Sequence, residues 1–337
     1  MNTDKKPLNF NDQSLDAKLR PNIWNEYVGQ VTIKKNLQIL LKAAGGRNEP
    51  IEHVLLHGPA GLGKTTLAHL IAKEAGAQMK ITSGPTIERV GDLAALLTNL
   101  MPGEILFIDE VHRLNKLIEE VLYSAMESRS LNIIIGKGPS ARTIQLELSP
   151  FTLIAATTRI SLLSSPLRSR FAGGTYRLNF YNPEEIEMIL GRSAKILNIE
   201  IEPDAKSEIA KRSRATPRIA NNLLKRCRDY AQVNEKPSLD LETTKKTFEL
   251  LEIDDEGLEP SDRHLLEILI TKFNGGPVGL GTLAAATSEE EGTIEEVYEP
   301  YLIQLGFLER TSRGRIATSH AYDHLGLKAP QQQEKLI

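Results

Sequence analysis

Residues 54–70 read VLLHGPAGLGKTTLAHL, and this stretch decides the fold. Three apolar residues, Val54, Leu55 and Leu56, lead into a glycine-rich turn; Lys64, Thr65 and Thr66 follow, and Leu67, Leu70 and Ile71 then recur at helical spacing. The pattern Gly58-x-x-x-x-Gly63-Lys64-Thr65 is a phosphate-binding loop signature in its strand–loop–helix setting. Gly61 and Gly63 let backbone N–H groups turn inward with no Cβ in the way. Those amides and the positive end of the following helix suit a polyphosphate. Lys64 is expected to reach the β and γ phosphates, and the Thr65 hydroxyl to hold Mg²⁺.

Outward from the loop, strand and helix patterns alternate. Residues 79–82 read as a short strand and 86–99 as a helix with Leu93, Leu96, Leu97 and Leu100 on one side. Residues 105–108 (ILFI) are a continuous apolar run, as in a strand buried on both faces. Residues 115–127 are helical again and 151–156 form another buried strand. This alternation predicts an α/β domain with a mostly parallel sheet between helices. Upstream, residues 31–44 have helical periodicity (Ile33, Leu37, Leu40, Leu41), with Gly45-Gly46 as the expected stop. Residues 1–30 are a polar lead-in ending LRPNIWNEYVGQ. There, Arg20-Pro21 and Tyr27-Val28 either line an adenine site or, through Trp24 and Tyr27, cap the core. Residues 131–148 interrupt the alternation. An isoleucine run, the turn GKGP and alternating Ile144, Leu146 and Leu148 predict a β-hairpin, either two more strands of the sheet or a docking element.

From Pro183 onward the texture is helical. Asn182 is a plausible N-cap with Pro183 at the first helical position. Helices over 184–197, 204–214, 217–234 and 241–251 predict a small bundle, followed by the polar linker IDDEG at 253–257. Helical patterns at 262–273, 281–286 and 293–302 then precede GFL at 306–308, RTSRGR at 310–315 and IAT at 316–318, which describes a winged helix. The division expected is a phosphate-loop α/β domain over 1–181, a helical bundle over 182–255, a winged helix over 256–330 and a tail over 331–337.

The chain has 337 residues and a formal net charge of −3, so any nucleic-acid site must be a local patch. Its one cysteine, Cys227, excludes an internal disulfide and suits a reducing cytoplasm. No apolar run approaches the roughly 20 residues needed to cross a bilayer, and the polar first residues lack the apolar stretch of a secretion signal.

Asp109-Glu110 closes the second buried strand. Asp109 is expected to hold Mg²⁺ through water, and Glu110 to orient and deprotonate the attacking water. His112 completes the run DEVH and is read as a hydrogen-bonded loop residue without chemistry. Thr158 ends the next strand, where a hydroxyl can feel a γ-phosphate. The run PLRSR at 166–170 offers Arg168 and Arg170 as competing candidates for an arginine that stabilises charge on a neighbouring subunit's nucleotide. Arg218 follows a Thr216-Pro217 helix start and is expected to face the phosphates. In the third unit, the helix normally offered to the major groove carries Glu295, Glu296 and Glu299, which phosphates repel. Base readout needs Arg, Lys, Asn or Gln there. The wing arginines Arg310, Arg313 and Arg315 are therefore expected to grip DNA backbone without sequence preference.

This ordered set resembles the AAA+ ATPases. The segments LRP…EYVGQ, GPAGLGKTT, FIDEVHRL, AATTR, ATPRIANNLLKRCRDYA and GGPVGLGTLAAA…VYEPYLIQLGFLERTSRGR resemble, within them, the RuvB family of branch-migration motors, from about residue 15 to 326. The resemblance implies an AAA+ P-loop domain with lid and winged helix, using ATP and Mg²⁺ in the cytoplasm. It implies a homo-hexamer around duplex DNA at Holliday junctions, acting in recombination and repair, recruited by RuvA and with RuvC as a further partner. By position it places Leu19, Arg20 and Tyr181 on the adenine side, and Gly61, Gly63, Lys64, Thr65 and Thr66 on phosphates and Mg²⁺. Glu127, Ser128 and Arg129 fall on a nucleotide-facing segment near the subunit interface. Thr158 becomes the polar sensor and Arg218 the sensor arginine. Arg170, directly before Phe171, becomes the finger. Arg310 and Arg315 become DNA contacts, and the hairpin the RuvA dock. The chain departs from the family at Ala172-Gly173-Gly174-Thr175, at Ala215 where Gly is usual, and at Ser312 where Pro is usual. Two other functions fit parts of the pattern: an ATP-switched transcriptional regulator and a clamp-loader-like ATPase.

Overall fold

A computed structural model describes residues 15–135 and 142–328. They divide into two compact units, one of residues 15–57, 63–178 and 191–200, the other of 58–62, 179–190 and 201–328.

The first unit is built on strands β1 (Val54–His57), β2 (Met79–Ser83), β3 (Ile105–Asp109), β6 (Thr152–Thr157) and β7 (Thr175–Arg177), all parallel in the order β2-β3-β6-β1-β7. Strands β4 (Ser130–Ile135) and β5 (Arg142–Glu147) stand outside this sheet as an antiparallel pair. The continuous apolar runs become β1, β3 and β6, which are almost wholly buried. Burial on both faces is what a central strand of a helix-covered parallel sheet requires.

Sequence patterning missed β7, because Thr175–Arg177 is short, polar and on the sheet edge. The segment before it explains one departure from the family. A Cβ on Gly173 would lie 2.7 Å from the Glu52 carbonyl and 2.9 Å from that of His53. The Gly174 carbonyl accepts from Leu55 N at 3.0 Å. Backbone runs directly against backbone there, so a side chain has no room.

Two expectations need correcting, and one open alternative closes. The first long helix does not stop at Gly45-Gly46 but runs Val31–Arg47, and Asn48 in the left-handed region (φ 54°) ends it. Nothing lies within 4 Å of a Cβ on either glycine; an exposed helical glycine costs about 1 kcal/mol without breaking the helix. The helix expected over 86–99 is Val90–Thr98, preceded by a 3₁₀ turn at Gly84–Thr86. Its start is set by the Asp92 carboxylate, which accepts from Glu88 N and Arg89 N at 3.1 and 2.9 Å. The hairpin adds no strands to the main sheet; its root, Leu131 and Leu148, joins the hydrophobic core while Ile144 is exposed. The expected turn at 136–139 lies outside the described residues, as does the tail.

In the second unit, helices Pro203–Arg212, Pro217–Val233 and Leu241–Leu250 pack around Ile209, Leu224, Cys227 and Phe248. Helices Pro260–Thr271 and Leu280–Thr287 follow, and then a helical run from Glu291 to Gln304 with a π turn at Ile294–Tyr298. Strands β8 (Leu308–Thr311) and β9 (Gly314–Ala317) form the wing, and Val278 bridges Arg315 alongside. Residues 253–257 are no loose linker. Asp254 accepts from Glu256 N and Leu258 N at 3.0 and 2.8 Å and meets His324 Nε2 at 2.9 Å, while Asp255 receives Arg212 at 2.5 Å.

Two glycine substitutions should move stability in opposite directions. Gly46→Ala fills open space inside a helix and should stabilise by about 0.5–1 kcal/mol. Gly314→Ala, at φ 137° with the Val278 carbonyl 2.2 Å from the added Cβ, should destabilise by more than about 2 kcal/mol. Thermal melts of the two variants check both signs.

Candidate functional site

Chemistry in a parallel sheet collects at strand carboxyl ends. Here β6 lies between β1 and β3, so the segments following these three strands are neighbours. The loop after β1 turns through Gly58, Gly61 and Gly63 at φ 136°, 78° and 97°. Gly63 precedes the first turn of helix Lys64–Glu74. Thr65 and Thr66 follow in that turn, half-buried beside the buried Lys64. A Cβ on Gly63 would meet the Tyr27 hydroxyl at 3.1 Å. Tyr27 and Trp24 are both buried, which supports their reading as a cap on the core.

The residues expected on the adenine side divide. Leu19 is buried; Arg20 is exposed, with Nη1 3.2 Å from His69 Nε2. Arg192, which the sequence reading did not single out, donates to the Leu19 and Arg20 carbonyls at 2.7 and 3.1 Å and to Glu26 at 2.9 Å. It fixes the lead-in backbone from 172 and 173 residues away, and nothing in the pattern of its own helix signals that. In the second unit, the buried Tyr181 hydroxyl donates to the Leu62 carbonyl at 3.2 Å. Gly61 lies against Thr216 and Arg218: its added Cβ would be 2.6 Å from Thr216 Cγ2 and 3.1 Å from Arg218 Cβ. The Arg218 side chain is otherwise exposed.

The carboxylate pair sits as the sequence predicts. Thr65 Oγ1 donates to Asp109 Oδ2 at 3.4 Å, and Asp109 Oδ1 accepts from Glu110 N at 3.0 Å. Two hard oxygens this close fit Mg²⁺, which usually takes one or two protein oxygens and completes its shell with phosphate and water.

Glu110 is in the left-handed region at φ 47°, which costs a non-glycine residue about 1–2 kcal/mol. Three donors converge on its Oε2. Thr158 N and Thr158 Oγ1 donate at 3.3 and 3.1 Å, and His112 Nδ1 lies at 3.2 Å. Burial pushes the Glu110 carboxyl up, but His112, the two Thr158 donors and the charge of Lys64 together bring it down to about 2. The group is anionic at every physiological pH, and none of the three donors uses Oε1. His112 is hydrogen-bonded in its turn, as the sequence reading has it. Its Nδ1 also lies 2.9 Å from Thr157 Oγ1, which in turn accepts from Arg159 N at 3.0 Å. His112 links the ends of β3 and β6 and holds Glu110 Oε2.

Arg170 Nη2 donates to Glu127 Oε2 at 2.6 Å, so the expected finger and the expected nucleotide-facing glutamate hold each other within one chain. Ser128 bonds Ser130 Oγ and the Ser124 carbonyl, both at 2.9 Å, and Arg129 ends helix Lys116–Ser128 in the left-handed region. Arg168 is exposed.

The wing differs from expectation. Arg310 and Arg313 are exposed, and Arg310 reaches Glu295 at 3.1 Å. Arg315 is only 7% exposed; its Nε meets Glu299 Oε1 at 2.5 Å, and its Nη2 lies 3.5 Å from Glu295. Glu299 is itself 2% exposed and does not face a groove. Alternation along β9 turns Arg315 inward, and a buried charge needs a partner. Arg315 thus ties the wing to the acidic helix instead of standing free at the tip. No helix among the described residues is long and apolar enough to cross a membrane.

Comparison with known proteins gives a consistent result. A family model for the Holliday junction DNA helicase RuvB P-loop domain matches residues 19–178, one for the RuvB AAA lid domain matches 181–254, and one for the RuvB C-terminal winged helix domain matches 255–326. The chain is 55% identical to the Holliday junction branch migration complex subunit RuvB of Koribacter versatilis, over 97% of this chain and 90% of that one. It is 55% identical to the protein of the same description from Chloroflexus aggregans, over 95% and 91%. The solved Thermotoga maritima RuvB Holliday junction branch migration motor superposes with a TM-score of 0.86 at 50% identity, covering 93% of this chain and all of that one.

Replacing His112 by Leu should cut nucleotide turnover by about tenfold, a fraction of what a positioned base contributes, with little change in ATP affinity. His112→Asn places a donor where Nδ1 stands and should keep most activity, whereas His112→Gln places it where Nε2 stands and should not. Steady-state kinetics with ATP binding measured separately checks the order.

Proposed function

The chain belongs to the RuvB family, and from that membership we propose that it is an ATP-driven motor that moves the branch point of Holliday junctions in recombination and repair. The observation carrying the chemistry is the meeting of Lys64-Thr65, Asp109-Glu110 and Thr158 at the ends of three adjacent strands.

Lys64 and the loop amides after Gly61 and Gly63 grip the β and γ phosphates, with Thr66 beside them. Thr65 and Asp109 would hold Mg²⁺, which when bound offsets phosphate charge. Glu110 takes the proton of the attacking water through Oε1, while Thr158 and His112 hold Oε2. Leu19, Arg20 and Tyr181 receive the adenine side, and Arg218 reads the phosphates from the lid.

Ring assembly supplies the rest. In a homo-hexamer, Arg170 leaves Glu127 for the nucleotide of the adjoining subunit, and residues 127–129 line that junction. Duplex DNA meets Arg310 and Arg313 first; Arg315 reaches phosphate only by giving up Glu299. The hairpin of β4 and β5 docks RuvA through its exposed face, RuvC is a further partner, and the setting is the cytoplasm.

Glu110→Gln should bind ATP with unchanged affinity and hydrolyse it on the order of 10²–10⁴-fold more slowly; brisk turnover by that variant counts against the assignment. Adding RuvA and a synthetic four-way junction should stimulate the unaltered protein. Joint replacement of Arg310 and Arg313 by Ala should weaken duplex binding and make its salt slope shallower by about 2. Unchanged DNA affinity would favour a clamp-loader-like ATPase, and strong preference for one duplex sequence a transcriptional regulator.

A further inference from the structure

We propose that the buried pair Arg214–Asp262 is the coupling that carries the nucleotide state to the winged helix; the inference rests on the motor reading above. Arg214 and Ala215 are consecutive non-glycine residues at φ 54° and 50°. Strained backbone of this kind persists where surrounding structure holds it, often at sites that switch. What holds it here comes from two directions.

On the nucleotide side, Thr216 N-caps helix Pro217–Val233, its hydroxyl donates to the Arg214 carbonyl at 2.8 Å, and its methyl presses on Gly61 of the phosphate loop. The Ala215 carbonyl accepts from Tyr181 N at 3.0 Å, and the Tyr181 hydroxyl bonds Leu62 in the same loop. A shift of the loop about its phosphates must therefore move the turn.

On the DNA side, Arg214 donates to both oxygens of Asp262, Nη1 to Oδ2 at 2.9 Å and Nη2 to Oδ1 at 3.1 Å. Nη2 also donates to the Val297 carbonyl at 3.3 Å, and the guanidinium lies 4.8 Å from the Tyr301 ring centroid. Asp262 is fully buried and also accepts from Glu259 N at 2.9 Å, fixing the start of the winged helix's first helix. Val297 and Tyr301 lie on the same helical run as Glu295 and Glu299, the partners of the wing arginines. One guanidinium thus grips both helices that carry the wing.

A buried ion pair is weak evidence for stability, since apolar replacement is often as stable. A bidentate pair does fix direction, and here direction is what transmission needs. Arg214 and Asp262 act as positioning residues, touching neither nucleotide nor DNA.

The test uses the full-length protein assembled on duplex DNA. Asp262→Asn keeps shape and removes charge; Arg214→Met with Asp262→Leu replaces the pair by apolar groups. Melting temperature, affinity for ATP, ATP turnover without DNA, turnover with DNA and junctions resolved per ATP are measured, each as a ratio to the unaltered chain. Expected are near-normal ATP affinity and DNA-free turnover, with DNA stimulation and junction movement per ATP reduced about tenfold. Arg214→Lys, which keeps charge without the bidentate fork, should fall between. Folded variants with the unaltered chain's DNA response overturn the inference. So does equal loss of DNA-free and DNA-stimulated turnover, which would assign the pair to site integrity. Absence of ATP turnover in the unaltered chain would instead bring down the motor reading, and the coupling with it.

Discussion

Everything in the first unit depends on β6 being enclosed. Its residues, from Thr152 to Thr157, are all buried, paired on one edge with β1 and on the other with β3. A strand in that position has no face for polar chemistry, so reactive groups can stand only where it stops. At that point three chain segments emerge side by side: the glycine loop, Asp109-Glu110 and Thr157-Thr158. The apolar centre of the sheet is thus the cause of the polar cluster at its rim.

The rim is then adjusted by charge. Glu110 is a carboxylate with three donors on one oxygen, and its low proton affinity follows from them. A carboxyl held this way stays anionic while its other oxygen is left to further partners. The same principle recurs away from the site. Arg315 faces inward and takes Glu299, and Arg214 is buried on Asp262. Charged groups taken out of water keep partners because an unpaired one is costly. Each partner also marks a contact that must be exchanged for the group to act elsewhere.

Glycine and left-handed residues place these groups. Gly61 and Gly63 admit Thr216 and Tyr27 against the loop backbone, and Gly173 admits the edge strand against residues 52–53. Asn48, Glu110, Arg129 and Arg214 take positive φ without being glycine, each where a helix ends or a reactive segment turns.

The sequence by itself determined the kind of fold and the identity of the phosphate site. Continuous apolar runs can only be interior strands, and a Gly-Lys-Thr turn between strand and helix has one chemistry, because both signals are local along the chain. It also put Asp109, Glu110 and Thr158 at the ends of buried strands, where the structure has them, since they close such runs. It misjudged Gly45-Gly46 as a stop because an exposed helix tolerates glycine when a later residue supplies the cap. It passed over β7, Arg192 and the Arg214–Asp262 pair, and stood Arg315 at the surface. Those were decided by tertiary structure alone. Which carboxylate faces a buried guanidinium, and which oxygen of Glu110 is occupied, depends on residues 16 to 173 positions apart meeting in space, and no local pattern records such a meeting.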